Sequence, residues 1–199
     1  MLMRDEVPRI PVTARLRARA GRLLGDRGGA GAIEFAFIAP MLLVAYLGAF
    51  EASVGFSVSR KTARAAATIS DLLTQSTLVS VDTLDGMPHV VRALMAPYVA
   101  ANVKVKITGI AVDSSGQGQV RWSRDEAGGT PYAKDSSVSV PQDGSMDSSF
   151  VVRTELSVPY RMKMLDMMQG KGDAGAFSIS KTYYYRQRVG SGITCSDCP

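Results

Sequence analysis

From Ile33 to Val58 the chain reads IEFAFIAPMLLVAYLGAFEASVGFSV, twenty-six residues in which Glu34 and Glu51 are the only charges. Wound as a helix at about 1.5 Å per residue, such a run exceeds the roughly 30 Å hydrocarbon layer of a bilayer. A helix lying on a soluble domain shows a polar stripe, whereas the sixteen residues Phe35 to Phe50 are uncharged and put Phe, Ile, Leu, Met and Val on every face. The run therefore predicts a membrane-spanning helix. With 199 residues in all, what remains is enough for one further domain of ordinary size.

The charges support a fixed orientation. Residues 1–29 hold seven arginines (Arg4, Arg9, Arg15, Arg17, Arg19, Arg22 and Arg27) against Asp5, Glu6 and Asp26, so four of the chain's five net positive charges precede the apolar run. Fewer basic residues follow it closely (Arg60, Lys61, Arg64), and the bias keeps the N-terminus cytoplasmic with residues 59–199 outside. The sixteen remaining basic residues are balanced by fifteen acids. No basic face is left for nucleic acid, which is not expected as a partner.

Inside this segment Glu34 needs a reason, because a carboxylate near the start of a spanning helix is costly without a positive partner or a place at the interface. Headgroup depth, with Arg27 or water as partner, is one solution. Glu51, seventeen residues on, reaches the opposite interface. Ala45, Gly48, Ala49, Ala52 and Gly55 recur at three- and four-residue spacings that let helices approach closely, a composition also common in membrane helices at large. Pro40 removes one backbone donor and bends or loosens the helix.

Past Val58 the helix is expected to continue through SRKTARAAATISDLLTQS, with Ala65, Ile69, Leu72 and Leu73 on its apolar face. A second helix is expected over Leu84–Val99, with Pro88 in its first turn and Met87, Val90, Val91, Leu94 and Met95 on one side. Val103–Val112 alternates as a half-buried strand, Lys104, Lys106 and Thr108 facing away from Val103, Val105 and Ile107. The turn at Ser114–Gly118 makes a hairpin with QVRWS. Asp125–Asp147 reads as a long exposed loop, Phe150–Val158 and Phe177–Arg188 as strands, and Tyr160–Met168 as a helix between them. In the last strand Tyr183, Tyr184 and Tyr185 alternate between core and solvent. The sum is α+β: a long N-terminal helix packed on a small antiparallel sheet.

No catalytic constellation is legible. His89 is the single histidine, Gly116-x-Gly118 neither gains a third glycine nor opens a helix, and no Gly-x-Ser-x-Gly elbow occurs. A non-enzyme without cofactor or metal is the expectation. Cys195-Ser-Asp-Cys198 ends the chain; in an oxidising compartment a local disulfide is the simplest state, with half of an intermolecular zinc site or a partner-docking clip as alternatives.

Taken together, residues 25–40, GDRGGAGAIEFAFIAP, resemble a type IV prepilin leader. More narrowly, Gly29 followed at five residues by Glu34-Phe35, then an apolar run and Pro40, resembles the TadE/TadF-like pseudopilins of tight-adherence (Tad, Flp-type) pilus systems. The likeness extends over residues 25–68, with Glu51 and SVSRKTARAAAT. It implies a type IV pilin-like fold and cleavage by a prepilin peptidase after Gly29, making Ala30 the new N-terminus and Glu34 the fifth residue. Cuts after Gly28 or Gly31 would misplace Glu34. The resemblance also gives that carboxylate a partner, the new ammonium at Ala30 of the same or a neighbouring subunit. It implies a basic leader over 1–29, a transmembrane helix over 30–58 in which Glu34, Pro40, Gly48 and Glu51 serve assembly, and an extracytoplasmic domain over 59–199. Other pilins, the inner-membrane assembly platform, the peptidase and membrane lipid would be its partners. The rival is a signal-peptidase cut near Ala49 or Ala52, releasing residues 53–199; the rival function is a membrane-tethered or secreted binding domain unrelated to pili.

Overall fold

The computed structural model describes residues 21, 29–98, 102–141, 144–162 and 176–199. The chain divides into two compact units, Met1–Gly48 and Ala49–Pro199. Helix α1 runs from Ala30 to Thr74 with Pro40 inside it. In the first unit its large apolar side chains are exposed, Ile33, Phe35, Phe37, Ile38, Met41 through Val44 and Tyr46 among them, with Leu47 half-buried. Of the expected leader, residues 1–20 and 22–28 lie outside the described residues.

In the second unit α1 turns an apolar stripe to the core: Val58, Ala65, Ala66, Ile69 and Leu73 are buried, at the three- and four-residue steps of one helical face. Leu72, expected on that face, is 46% exposed; at 100° from Leu73 it cannot share the seam. Thr62 enters the same seam fully buried because its hydroxyl donates back to Val58 O at 2.9 Å. Helix α2 (Val81–Met95) starts three residues before the expected Leu84, since Ser80 caps it by accepting from the Thr83 amide at 3.2 Å. Pro88 is consequently interior rather than in the first turn. The helix stops short of the expected Val99, because Ala96 precedes Pro97 and adopts an extended ψ of 141°.

Five strands follow: β2 (Lys104–Val112), β3 (Gly118–Asp125), β4 (Ser137–Val138), β5 (Phe150–Arg161) and β6 (Ala176–Arg186), in antiparallel order β4-β3-β2-β5-β6. One face carries Val105, Ile107, Trp122, Val152, Leu156 and Val158 into a single cluster with the buried residues of α1 and α2. Gly109 pairs with Trp122 at a bulge, and no larger residue fits, since a Cβ there would stand 2.3 Å from the indole. The α+β class expected from the sequence is the one the chain adopts.

Four expectations need correction. Asp125–Asp147 is not simply an exposed loop: it contains β4 and folds over the back of the sheet, where Val140 is buried with Ile110, Val112 and Val151, and Met146 packs beside them. Thr108, expected to face solvent, is thereby buried, its hydroxyl 3.3 Å from that of Ser123. The helix expected from Tyr160 does not start there, because Tyr160 and Arg161 extend β5 through pairing with Phe177 and Ala176; residues 163–168 lie outside the described residues. The tyrosines alternate in facing, but not between core and solvent: Tyr183 packs on the main core and Tyr184 on the back cluster, and both are half-buried.

Nothing along the chain announces a second, two-stranded sheet, in which β1 (Leu78–Val79) lies parallel to β7 (Thr194–Cys195). It draws the C-terminal tail onto the core. Ile193 is buried and its carbonyl accepts the Trp122 Nε1–H at 2.8 Å.

Candidate functional site

The residues singled out near the N-terminus fall on the first turns of α1. Gly29 sits in a turn just before the helix and accepts the Ile33 amide at 3.1 Å, so the helical hydrogen-bond ladder reaches back across the Gly29–Ala30 peptide. Glu34, one turn in, is exposed, as are Phe35 and Pro40. Gly48 is exposed too, with open space where a side chain would be. This surface offers apolar area and one carboxylate to whatever surrounds it. Among the described residues the helix over Gly31–Thr74 is the one long and apolar enough to cross a membrane, and none of its most apolar 18-residue window is buried.

Glu51 belongs to the second unit and is half-buried. It borders a largely apolar cleft of about 460 Å³ formed by the first turns of α1 in that unit, by Pro97 and Tyr98 after α2, and by Val158–Arg161 at the end of β5. Tyr160 closes one wall, its hydroxyl 3.5 Å from Glu51 O and its ring against Gly55. Burial, and then the nearby Glu51 charge, push the Tyr160 hydroxyl's pKa above that of an ordinary tyrosine. On the opposite wall the Lys61 ammonium lies 5.5 Å from the Tyr98 ring and donates to Ala96 O. Nothing in the sequence marked this cleft, since Tyr98 and Tyr160 reach it only through chain reversals after α2 and within the sheet.

The cysteines meet as a pair. Cys195 is bonded to Cys198, and between them Asp197 accepts the Val81 amide at 2.9 Å, adding a carboxylate to the positive N-terminal end of α2. Cys195, Asp197 and Cys198 are close enough to hold a metal ion together; with the two sulfurs joined, they offer it no thiolate. His89 lies apart, exposed on α2, with Nδ1 2.9 Å from the Arg92 guanidinium.

A further polar cluster was missed. Arg153 is buried behind the sheet, its guanidinium 4.3 Å from the Tyr132 ring and 3.4 Å from Glu155 Oε2, while the Tyr132 hydroxyl donates to that same oxygen at 2.8 Å. The three pin the 125–147 segment to β5. Burial and the bond to Glu155 raise the Tyr132 hydroxyl's pKa.

These features define an α+β protein built on one exposed apolar helix of membrane-spanning length. Residues 29–70 match the family model of TadE-like protein, the stretch that holds Gly29, Glu34, Pro40, Gly48 and Glu51. No curated protein and no solved structure matches the chain.

Proposed function

We propose that the protein is a minor pilin or pseudopilin that takes part in assembling a Tad-type (Flp) pilus, as a structural and not a catalytic component. The observation that carries this reading is the coincidence of the TadE-like match with a helix whose apolar side chains are unburied. Such a helix requires lipid or other helices around it. In this scheme α1 holds the chain as a single span in the inner membrane, leader in the cytoplasm and the α+β domain on the far side.

Prepilin peptidase cuts after Gly29. The cleavage replaces the Gly29–Ala30 peptide by an ammonium at Ala30, four residues from Glu34 and thus one turn away on the same helix. Paired with that ammonium, or with one in a neighbouring subunit, the carboxylate can enter a low-dielectric bundle that would reject it alone. Pilins and the assembly platform of the membrane are the partners that this pairing serves.

N-terminal sequencing of the protein from cells with prepilin peptidase is expected to begin at Ala30, and from cells without it upstream of Gly29. A start between residues 50 and 55 would overturn the proposal in favour of a secreted domain. Glu34→Gln is expected to abolish assembly while leaving the protein folded and membrane-bound; unchanged pili and unchanged pilin co-purification would instead favour a tethered binding domain.

A further inference from the structure

One end of the second unit carries a group of rings and cations, of which Tyr98 and Tyr160 also pack against the edge of the core while Phe56 and Phe177 do not. Tyr160 meets Phe177 edge-on at 5.3 Å between centroids, and Phe177 stays 45% exposed. Phe56 on α1 is 65% exposed, with the Arg60 guanidinium 5.5 Å above its ring. Tyr98 lines the neighbouring cleft, with the Lys61 ammonium 5.5 Å from its ring. Tyr98 and Tyr160 thus line one cleft with the first turns of α1 in this unit, Phe177 packs on Tyr160 from β6, and Phe56 and Arg60 stand on those same turns of α1 outside the cleft. That cleft is where α1 begins in this unit; the far end of α1, at Thr74, is closed by the Arg188 amide donating to Thr74 O.

Chain connectivity places the cleft. A span of about twenty residues counted from Ile33 ends near Ala52. Phe56 is one turn beyond Ala52 along α1, about 6 Å, and the Tyr160 ring packs on Gly55, so both rings stand near the end of a span of that length. Tyrosine and phenylalanine with adjoining Arg and Lys is the composition of the bilayer–water boundary, where rings lie among headgroups and cations meet phosphate. In water the exposed rings of Phe56 and Phe177 would be idle apolar surface.

We propose that this group is a lipid-contact surface: Phe56, Tyr98, Tyr160 and Phe177 lie in the headgroup layer of the membrane that α1 enters, and Arg60 binds lipid phosphate, favouring anionic phospholipid. The inference rests on α1 being a membrane span. It adds that the folded domain sits on the bilayer instead of standing clear of it.

The test uses the full chain in vesicles of phosphatidylcholine with or without phosphatidylglycerol, containing headgroup spin-labelled lipid as quencher. Trp122, the single tryptophan, is 2% exposed and serves as an internal unquenched reference. Phe177→Trp and Phe56→Trp, both at exposed positions, are each expected to add emission that the quencher removes almost entirely, more so with phosphatidylglycerol. Arg60→Gln combined with Phe177→Trp is expected to lose the phosphatidylglycerol increment. Carbonate extraction separates the two levels of the argument. Protein that resists extraction yet shows an unquenched Phe177→Trp overturns the lipid contact alone, while protein released by carbonate overturns the span itself. Crosslinking between copies through Phe177→Cys that rises with protein-to-lipid ratio, without quenching, assigns the surface to a second copy and also overturns the proposal.

Discussion

Replacing Gly109 by alanine places a methyl group where the Trp122 indole already lies. The new Cβ would stand 2.3 Å from Cε2 and 2.6 Å from Cζ2 and Nε1, whereas carbon atoms settle at roughly 3.5–4.0 Å. The indole must therefore move by more than an ångström, and it is not free to do so. Phe150 lies beside it at 6.4 Å between centroids, and its Nε1–H is bound to Ile193 O at 2.8 Å. Overfilling a packed core costs about 1–3 kcal/mol, and stranding the buried Ile193 carbonyl adds about 1–3 kcal/mol. A loss of about 2–6 kcal/mol is large beside a domain stability of about 5–15 kcal/mol. Gly86 provides the opposite case within the same chain: it lies inside α2, and a Cβ there meets nothing within 4 Å. Gly86→Ala is expected to stabilise by about 0.5–1 kcal/mol, because alanine loses less conformational entropy in a helix. The assay is urea unfolding of the full-length protein in detergent micelles, read by Trp122 emission and by far-ultraviolet circular dichroism. Midpoints shifting in the same direction for the two variants, or a Gly109→Ala midpoint equal to that of the wild type, would refute this account of the sheet.

Other perturbations read other joints. Ser70→Ala removes the donor to Thr154 Oγ1, a fully buried 2.8 Å bond tying α1 to β5; the stranded hydroxyl is expected to cost about 1–3 kcal/mol in the same assay, and Ser70→Ala with Thr154→Val less than Ser70→Ala alone. Hydrogen bonds from Arg124, at 2.7 Å to both oxygens, hold the Asp85 carboxyl below the usual carboxylate range. A carboxyl with a lowered folded pKa lends stability above its unfolded value of about 4 and loses it as pH falls through the folded one. Asp85→Asn is therefore expected to flatten the acid limb of a stability–pH profile and leave its neutral-to-alkaline shape unchanged; an unaltered acid limb would count against the pair. Cys195→Ser with Cys198→Ser opens a very short ring and is expected to cost no more than about 2 kcal/mol. Its clearer signature is faster amide exchange at Val81, whose partner Asp197 sits within that ring.

The sequence by itself determined what needs only local arithmetic. Twenty-six residues with two charges require a long apolar helix, and the alternation through Val103–Val112 announces a strand; the stretch around Gly29, Glu34 and Phe35 resembles a prepilin leader. Those signals come from neighbours along the chain. The tertiary structure decided everything that depends on residues far apart: that Asp125–Asp147 folds over the back of the sheet and buries Thr108, that Tyr160 extends a strand because Phe177 pairs with it, and that the C-terminal tail is held through Ile193 by Trp122. The grouping of Tyr98, Tyr160 and Phe177 is of this second kind, since they lie far apart in sequence and meet around one cleft only once the sheet has formed. Helical periodicity is a property of a window a few turns long, whereas a shared cleft follows from strand register and core packing, which no single window contains.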